Sequence, residues 1–344
     1  MAYENVDYSE IITEQLLERD KKLQEKELPE INIGKAVPVT EDLEFGVDEC
    51  EYGVTEVRGS VKNGVLGIKT TSLETIDSEI IYKKAPVVQW GKGLTYTQQE
   101  VEKALRLGIN LPLKKQNDLY SNALATIQYS GYLGHEQAIG QEGLLTGKDI
   151  DIHTINKSFK EMTCTECVDL ILLVYRKVWE RSNFTVQPTH IAMDASDFMD
   201  LMQKFDPNST IVGVDLMPIA AIDKIMAALR KASENDKFNI EFVKIPADYA
   251  KTINKGKARL AVYTYDEDYL EMNVHMPELL ETHRKDLLTY QSGYRSAFSG
   301  VMWKEPQSAQ YLDYKSDTKS ITKKTTTKKS AAESAAESAA ESNA

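Results

Sequence analysis

Two runs of β-branched and aliphatic residues flank the dipeptide Asn63-Gly64, and this pattern constrains the fold more than any other feature of the chain. Asn-Gly supplies the positive φ angles of a two-residue hairpin turn, so the pattern predicts two antiparallel strands. If residues 54–90 form one hairpin, each strand has about 15 residues and spans about 50 Å. An isolated two-stranded ribbon is marginally stable in water, so we expect a neighbouring subunit to cover it.

Capping boxes mark the starts of two helices. Thr97 pairs with Glu100, and Thr163 pairs with Glu166. In each pair the two side chains satisfy backbone N–H groups that a helix start leaves without partners. We therefore expect helices from Thr97 and from Thr163, the second with an apolar stripe that packs on a core.

The remaining elements are mixed in order. Pro112, a favourable first-turn residue, opens a long helix that we expect Gly131 to end. The apolar periodicity also predicts strands at 189–193, 239–244, 259–265 and 270–276, helices at 195–204 and 219–233, and a strand-like segment at 294–303. Pro277 is expected to end the strand that begins at residue 270. This order, unlike a regular βαβ series, predicts an α+β fold.

The charge and composition exclude several classes of protein. The formal net charge is -12 and the pI is about 5.1, so a sequence-specific nucleic-acid binder is not expected. No run reaches the roughly 18 apolar residues that span a bilayer. Residues 1–20 lack the basic and apolar regions of a secretory signal, so we expect synthesis in a cytosol. The three cysteines are too few for a disulfide scaffold.

The sharpest candidate for chemistry is the pair Cys164 and Cys167, spaced as CxxC at the start of a predicted helix. The helix dipole would lower a thiol pKa there, as redox enzymes require. The competing interpretation places Cys167 in the apolar stripe as a small core residue. No second CxxC and no paired histidines at zinc spacing accompany the pair, so a metal site lacks ligands.

A looser candidate joins His190 with Asp194 and Ser196, which suggests a catalytic triad. The chain has no Gly-x-Ser-x-Gly elbow, no Walker A loop and no Gly-x-Gly-x-x-Gly motif. We therefore predict no catalytic residue, no cofactor, no metal ligand set and no enzyme activity.

The two ends of the chain differ from its middle. Residues 1–30 carry a modest helical pattern among charged residues, with too little apolar surface to fold alone. Residues 315–344 begin as a Lys/Thr/Ser-rich stretch and include three Ala-Ala-Glu-Ser repeats. We expect this second segment to be a solvated, flexible tail.

Three stretches carry a resemblance to a known family: residues 85–104 (APVVQWGKGLTYTQQEVEKA), 140–145 (GQEGLL) and 299–306 (SGVMWKEP). With the order of segments around them, they resemble the major capsid proteins of tailed bacteriophages, which have the HK97-like fold. Within that fold the chain is similar to the encapsulin-like phage coat proteins. The resemblance covers about residues 30–314.

The resemblance implies a division of the chain into the parts of an HK97-like capsid fold. These are an N-terminal arm at 1–51, an extended β-hairpin loop at 52–92, a peripheral domain with its spine helix at 93–185, an axial domain at 186–270, a return to the peripheral domain at 271–314 and a flexible low-complexity tail at 315–344. Some members of the family join subunits by a Lys–Asn isopeptide bond. Lys62 and Lys69 are candidate lysines, but no asparagine lies between Asn273 and Asn343, so we predict no such crosslink.

The function implied is that of a virion shell subunit, assembled in the host cytoplasm into hexamers and pentamers of an icosahedral capsid around double-stranded DNA. Its partners would be copies of itself, portal, scaffolding and decoration proteins, and packaged DNA on the inner face without sequence specificity, with no membrane. One alternative is an encapsulin-type nanocompartment shell. The other is a thiol redox enzyme that uses Cys164 and Cys167.

Overall fold

The chain adopts an α+β fold. A computed structural model describes residues 30–58, 77–106, 110–210, 218–233, 240–246, 248–254 and 256–316. The predicted turn at Asn63-Gly64, the candidate lysines Lys62 and Lys69, most of the arm and nearly all of the tail lie outside these residues.

The helices of the described residues vary from one turn to more than six. They are α1 (Ile33–Ala36), α2 (Gln98–Arg106), α3 (Leu111–Leu133), α4 (Cys164–Arg181), α5 (Ala195–Met202), α6 (Ala221–Ala232) and α7 (Tyr249–Thr252), with a 3-10 turn at Pro306–Ser308. The long helix α3 is the predicted spine.

Within the described ranges the strands form three sheets. They are β1 (Val39–Thr40), β2 (Glu49–Arg58), β3 (Asp77–Thr97), β4 (Ile152–Thr154), β5 (His190–Asp194), β6 (Phe205–Thr210), β7 (Pro218–Ala220), β8 (Glu241–Ile245), β9 (Lys257–Tyr263), β10 (Leu270–Asp286), β11 (Thr289–Ser299), β12 (Met302–Trp303) and β13 (Ala309–Lys315). The first sheet has the order β1-β10-β11-β3-β2, with β12 beside β10. The second has the order β4-β13-β9-β5-β8, and β6 pairs with β7 in the third.

The central strand β9 of the five-stranded sheet is buried on both faces. On β9, Leu260 and Val262 join an apolar cluster with α4, α5 and α6. Ala261 and Tyr263 point to the opposite face and join a second cluster with α3 and the first sheet. Because side chains alternate along a strand, one strand supplies both clusters. Helix α4, which the sequence assigns to the peripheral segment, packs here against the sheet of the axial segment. The segment boundaries remain predictions.

The predicted hairpin is present at its base. Strands β2 and β3 pair antiparallel from Glu49 with Pro86 to Arg58 with Asp77. Beyond Pro86 the strand β3 changes partner and pairs with β11, from Val87 with Ser299 to Thr97 with Thr289. One strand therefore joins the hairpin to the sheet that covers α3.

Both capping boxes form as predicted. The Thr97 hydroxyl accepts from the Glu100 N–H at 3.3 Å, and the Thr97 N–H donates to the Glu100 carboxylate at 3.1 Å. The Thr163 hydroxyl accepts from the Glu166 N–H at 3.3 Å, with the reciprocal bond at 2.9 Å. These starts were predictable because a capping box is local in sequence.

The predicted end of the spine helix at Gly131 is wrong. Helix α3 continues to Leu133 and ends at Gly134, whose φ is 76° and whose N–H donates to the Ser130 carbonyl at 2.8 Å. Position 131 lacks a side chain for another reason: a Cβ there would lie 2.6 Å from Cδ1 of Ile33. This glycine permits close packing of α1 on α3 and does not break the helix.

The predicted end of a strand at Pro277 is also wrong. Strand β10 runs on to Asp286, and its register with β11 shifts between His275 and Glu278. Pro277 lies within that irregularity, where a missing backbone N–H does not interrupt regular pairing. Beyond it the two strands continue as a second hairpin, whereas the sequence predicted a strand only from about residue 294.

The three stretches that carried the family resemblance meet in one place. The Gln141 side-chain amide lies 3.4 Å from the Pro86 carbonyl and 3.3 Å from the Phe298 carbonyl, and its oxygen accepts from the Ser130 hydroxyl at 3.0 Å. The Val301 N–H donates to the Glu142 carbonyl at 2.7 Å. This contact, which we call the Gln141 junction, fixes β3, α3 and β11 relative to one another.

Two glycines permit the close backbone approach at this junction. A Cβ on Gly300 would lie 2.2 Å from the Glu142 carbonyl oxygen, and a Cβ on Gly143 would lie 2.5 Å from the Tyr132 carbonyl. Both distances are far below van der Waals contact, and the obstructing atoms are backbone. A side chain at either position must therefore push the loop away from its neighbours.

We predict that Gly300→Ala lowers the free energy of unfolding by about 3 kcal/mol, because the backbone at the Gln141 junction must separate to admit a methyl group. Denaturant unfolding of the unassembled chain measures the change. Gly34→Ala is the matched control, since a Cβ at Gly34 meets nothing within 4 Å. Equal stability of the two variants would contradict the prediction.

Candidate assembly surfaces

The CxxC pair is buried at the start of α4. Cys164 and Cys167 are free thiols inside the cluster that also contains Ile171 and Val174. Burial raises the pKa of Cys167 to about 11 and raises the pKa of Cys164 above its ordinary value. A redox enzyme needs the opposite shift, because the thiolate is the nucleophile. Desolvation outweighs the helix dipole here, so this geometry does not favour the redox hypothesis.

We predict that replacing both Cys164 and Cys167 with alanine leaves unchanged the particle assembly that the family resemblance implies. Both thiols fill space in the core, so neither is expected to contact a neighbouring subunit. Electron microscopy of purified variant and wild-type protein measures particle formation, and a thiol–disulfide exchange assay on both proteins provides the control. An exchange activity that only the wild type shows would support the enzyme hypothesis.

The triad suggested by sequence does not assemble. His190 begins β5 and stacks on Tyr265, with ring centroids 4.7 Å apart, whereas Asp194 ends the strand. The Asp194 carboxylate instead accepts from the Ser196 N–H at 2.9 Å and from the Lys251 ammonium at 2.9 Å. These bonds cap α5 and tie it to α7. In the described part of the chain, no three His, Cys, Asp or Glu side chains could hold a metal ion.

The outer face of the β2–β3 hairpin carries an exposed apolar patch. Ile80 is 55% exposed and Tyr82 is 65% exposed. Tyr82 lies opposite Gly53, where a Cβ would be 3.6 Å from the tyrosine ring and 3.3 Å from Ile80. Because Gly53 has no side chain, the side chains of Ile80 and Tyr82 lie over the backbone of β2 at this position. The Glu49–Lys84 ion pair, at 2.8 Å, borders this patch, which we call the ribbon patch.

The inner face of the same hairpin overhangs the body of the protein. A cleft of about 490 Å³ separates Tyr52 and Lys83 from Glu142 and Asp149. A second cleft of about 620 Å³ lies between the hairpin and the 3-10 turn. Burial raises the pKa of Glu142, and the neighbouring Asp149 adds to the shift. No described side chain of the hairpin from Glu49 to Val54, or from Glu79 to Val87, is fully buried.

A second apolar surface lies at the end of the β10–β11 hairpin. Leu287 and Leu288 form its two-residue turn and are 80% and 52% exposed, and Leu279 and Leu280 are also exposed. The Arg284 guanidinium donates to the Asp286 carbonyl at 3.1 Å, which restrains the turn. Turns favour Gly, Asn and Asp, so sequence reasoning missed this hairpin. The aromatic residues Tyr290 and Tyr294, which favour strands, were the available signal.

A groove of about 700 Å³ crosses the sheet face opposite α3. Its floor includes Gly91, Gly93 and Gly293, and Gly93 pairs directly with Gly293. At one end the Arg295 guanidinium stacks on the Phe45 ring at 4.8 Å. The groove is open to solvent and is lined by both polar and apolar residues, unlike an enclosed small-molecule site.

One buried carboxyl titrates near neutral pH. Asp197 on α5 accepts a hydrogen bond from the Tyr314 hydroxyl at 2.6 Å and is 5% exposed. Burial raises the pKa of Asp197 to about 6; the bond from Tyr314 opposes this rise and the Asp194 carboxylate adds to it. The folded protein therefore favours the protonated form more than the unfolded chain does. The associated stability is complete below about pH 4 and is lost as the pH rises through about 6.

We predict that Asp197→Asn raises the free energy of unfolding at pH 8 by on the order of 2 kcal/mol, because the amide is never charged. At pH 4 the gain should vanish, since the wild-type carboxyl is then protonated in the fold. Denaturant unfolding of both proteins at the two pH values measures this difference. A difference that is constant with pH would contradict the prediction.

Comparisons with known proteins agree with this architecture. The sequence model of a family described as "Major capsid protein" matches residues 63–314. The capsid of Myoviridae phage XM1 superposes with a TM-score of 0.70 at 13% identity, covering 88% of this chain and 97% of that chain. A capsid chain of an empty GTA particle gives a TM-score of 0.59 at 9% identity, covering 88% of this chain and 96% of that chain.

A chain from Gordonia phage Cozz gives a TM-score of 0.54 at 13% identity, covering 88% of this chain and 91% of that chain. No curated protein sequence matches significantly. The predicted HK97-like α+β fold is confirmed. No helix among the described residues is long and apolar enough to cross a bilayer.

Proposed function

The chain belongs to the major capsid protein family, and from this membership we propose that it self-assembles into the hexamers and pentamers of an icosahedral shell that encloses double-stranded DNA. The structural role and a place in the virion capsid follow from the family. We propose in addition that the shell is icosahedral, that it contains double-stranded DNA and that it assembles in the host cytoplasm.

The structural observation that carries the proposal beyond family membership is the β2–β3 hairpin, which has ten backbone pairs at its base and no fully buried side chain among those described there. Two strands without a covered face are marginally stable in water. The ribbon patch leaves two large apolar side chains in solvent on one face. A neighbouring copy that covers this face supplies the burial that the hairpin itself lacks.

Charge determines how such a shell would respond to salt and to its contents. With a formal net charge of -12, neighbouring copies repel one another. Salt screens this repulsion, with a Debye length of about 10 Å at 0.1 M. An acidic inner wall would also hold packaged DNA without binding it tightly. Portal, scaffolding and decoration proteins are further proposed partners.

The direct test is electron microscopy of the purified full-length chain at increasing salt. We expect shells, tubes or capsomer rings whose yield rises from low to moderate salt. A protein that stays monomeric at high concentration under all conditions would overturn the proposal. Particles from infected cells should contain double-stranded DNA, whereas an enzyme cargo would favour the nanocompartment.

We predict that Tyr82→Asp blocks particle formation without unfolding the chain. The aspartate places a charge where the proposed contact buries an aromatic ring. We expect it to weaken the binding free energy of each contact by about 2 kcal/mol or more, which is roughly thirtyfold in affinity. Sedimentation separates particles from free subunits, and circular dichroism monitors the fold.

Lys84→Gln is the matched control, because it changes the net charge by the same amount on the same face and keeps Tyr82. We expect this variant to assemble nearly as well as the wild type. Normal particle yield for Tyr82→Asp would exclude the ribbon patch from the contacts that hold the shell together.

A further inference from the structure

The turn of the β10–β11 hairpin consists of residues that neither the turn nor the solvent favours. Leu287 and Leu288 lie between the paired residues Asp286 and Thr289, so they form a two-residue connection. Such connections favour Asn-Gly and similar pairs with positive φ angles, which neither leucine has. Their side chains are 80% and 52% exposed. Neither turn geometry nor burial within the described part of the chain therefore accounts for two leucines here.

Hydrogen bonds fix this turn relative to the body of the protein. The Arg284 guanidinium donates to the Leu287 carbonyl, which restrains the turn from within the hairpin. The Leu288 carbonyl accepts from the Gln98 N–H at 2.8 Å, and this bond ties the turn to the start of α2. An apolar surface that is already fixed in place loses little conformational entropy when a partner covers it.

Exposed leucines also lie on both faces of the hairpin. Leu280 lines the groove on the face opposite α3. Leu279 pairs with Tyr294, whose ring contacts Tyr120 of α3 with centroids 5.7 Å apart, so Leu279 lies on the face toward α3. Leu280 is 41% exposed and Leu279 is 46% exposed. A partner surface that covered one face of the hairpin would leave the leucine on the other face in water.

The local charges allow the hairpin to pack against copies of itself. Residues 279–290 carry Glu281 and Asp286 against Arg284 and Lys285, so with the histidine neutral their formal charges cancel. Identical hairpins brought together therefore have no net charge to repel one another. A surface that is apolar and locally neutral also gives a strongly charged partner no complementary charge to recognise.

The size of the apolar surface indicates how many copies must meet. A specific pair of proteins buries about 800 Å² on each partner. Four partly exposed leucine side chains offer on the order of 400 Å², so this contact would not hold two free subunits together. Copies arranged around a symmetry axis give every hairpin a neighbour on each side, and contacts elsewhere in the shell add to the buried area.

We propose that the β10–β11 hairpins of several copies of this chain meet around a symmetry axis of the shell, where their leucines cover one another. The receiving surface is the same hairpin on the neighbouring copy, with Leu287 and Leu288 at its end and Leu279 and Leu280 on its faces. The inference rests on the proposed self-assembly. It adds a contact of like with like that is separate from the ribbon patch.

The first test gives the turn the residues that a two-residue connection prefers. In the full-length chain with Leu287→Asn and Leu288→Gly, we expect an unfolding midpoint no lower than that of the wild type. The particle yield should fall at least tenfold, because the apolar end of the hairpin is gone. Leu173→Gln, which makes an exposed leucine of α4 polar, is the matched control and should assemble normally. Normal particle yield or a lowered unfolding midpoint for the double variant would overturn the inference.

The second test asks whether the hairpin meets its own copy. Leu288→Glu and Leu288→Lys should each assemble poorly alone, because identical charges then face one another at the axis. An equal mixture of the two proteins should give at least fivefold more particles than either alone, since opposite charges attract where the two turns meet. No rescue by mixing would overturn the inference and leave the proposed function standing. A wild type that forms no particles would overturn the proposed function, on which the inference rests.

Discussion

The close approach of the backbone at Gly143 and Gly300 is the constraint on which the arrangement of the remaining parts depends. It brings the Gln141 amide within reach of carbonyls from β3 and β11 and of the Ser130 hydroxyl on α3. The spine helix, the hairpin strand and the long sheet are thereby joined at one point. Gln141 and Phe298, which meet there, lie more than 150 residues apart in the chain. The direction in which the hairpin leaves the body, and so the position of the ribbon patch, follows from this junction.

Much of the fold was predictable where the signal is local. Both capping boxes mark helix starts correctly, since a hydroxyl and a carboxylate three residues apart carry the whole arrangement. The hairpin base was also predictable, because β-branched runs on both sides of Asn63-Gly64 indicate two paired strands regardless of what they pack against. Gly131 shows where local reasoning fails. A glycine that ends a helix and a glycine that makes room for a neighbouring side chain look identical in the sequence. Only the position of Ile33 in the structure distinguishes them.

The candidate surfaces were less predictable than the fold. The sequence places Ile80 and Tyr82 in a strand, but only the register opposite Gly53 shows that both lie on the open face. The Leu287-Leu288 turn has none of the usual turn residues, so its exposed position does not follow from its composition. At Cys164 and Cys167 the helix dipole and burial act in opposite directions, and sequence alone does not give the depth of burial that makes desolvation the larger effect.

Strand β3 runs without interruption for 21 residues, first beside β2 and then beside β11. A load pulling on the hairpin would therefore act along the axis of that strand. It would be resisted in shear by the eleven residue pairs with β11, whose backbone bonds lie across the direction of pull and must break together. Within one subunit, β3 would then transmit such a load from the hairpin to the sheet beside α3 through continuous backbone.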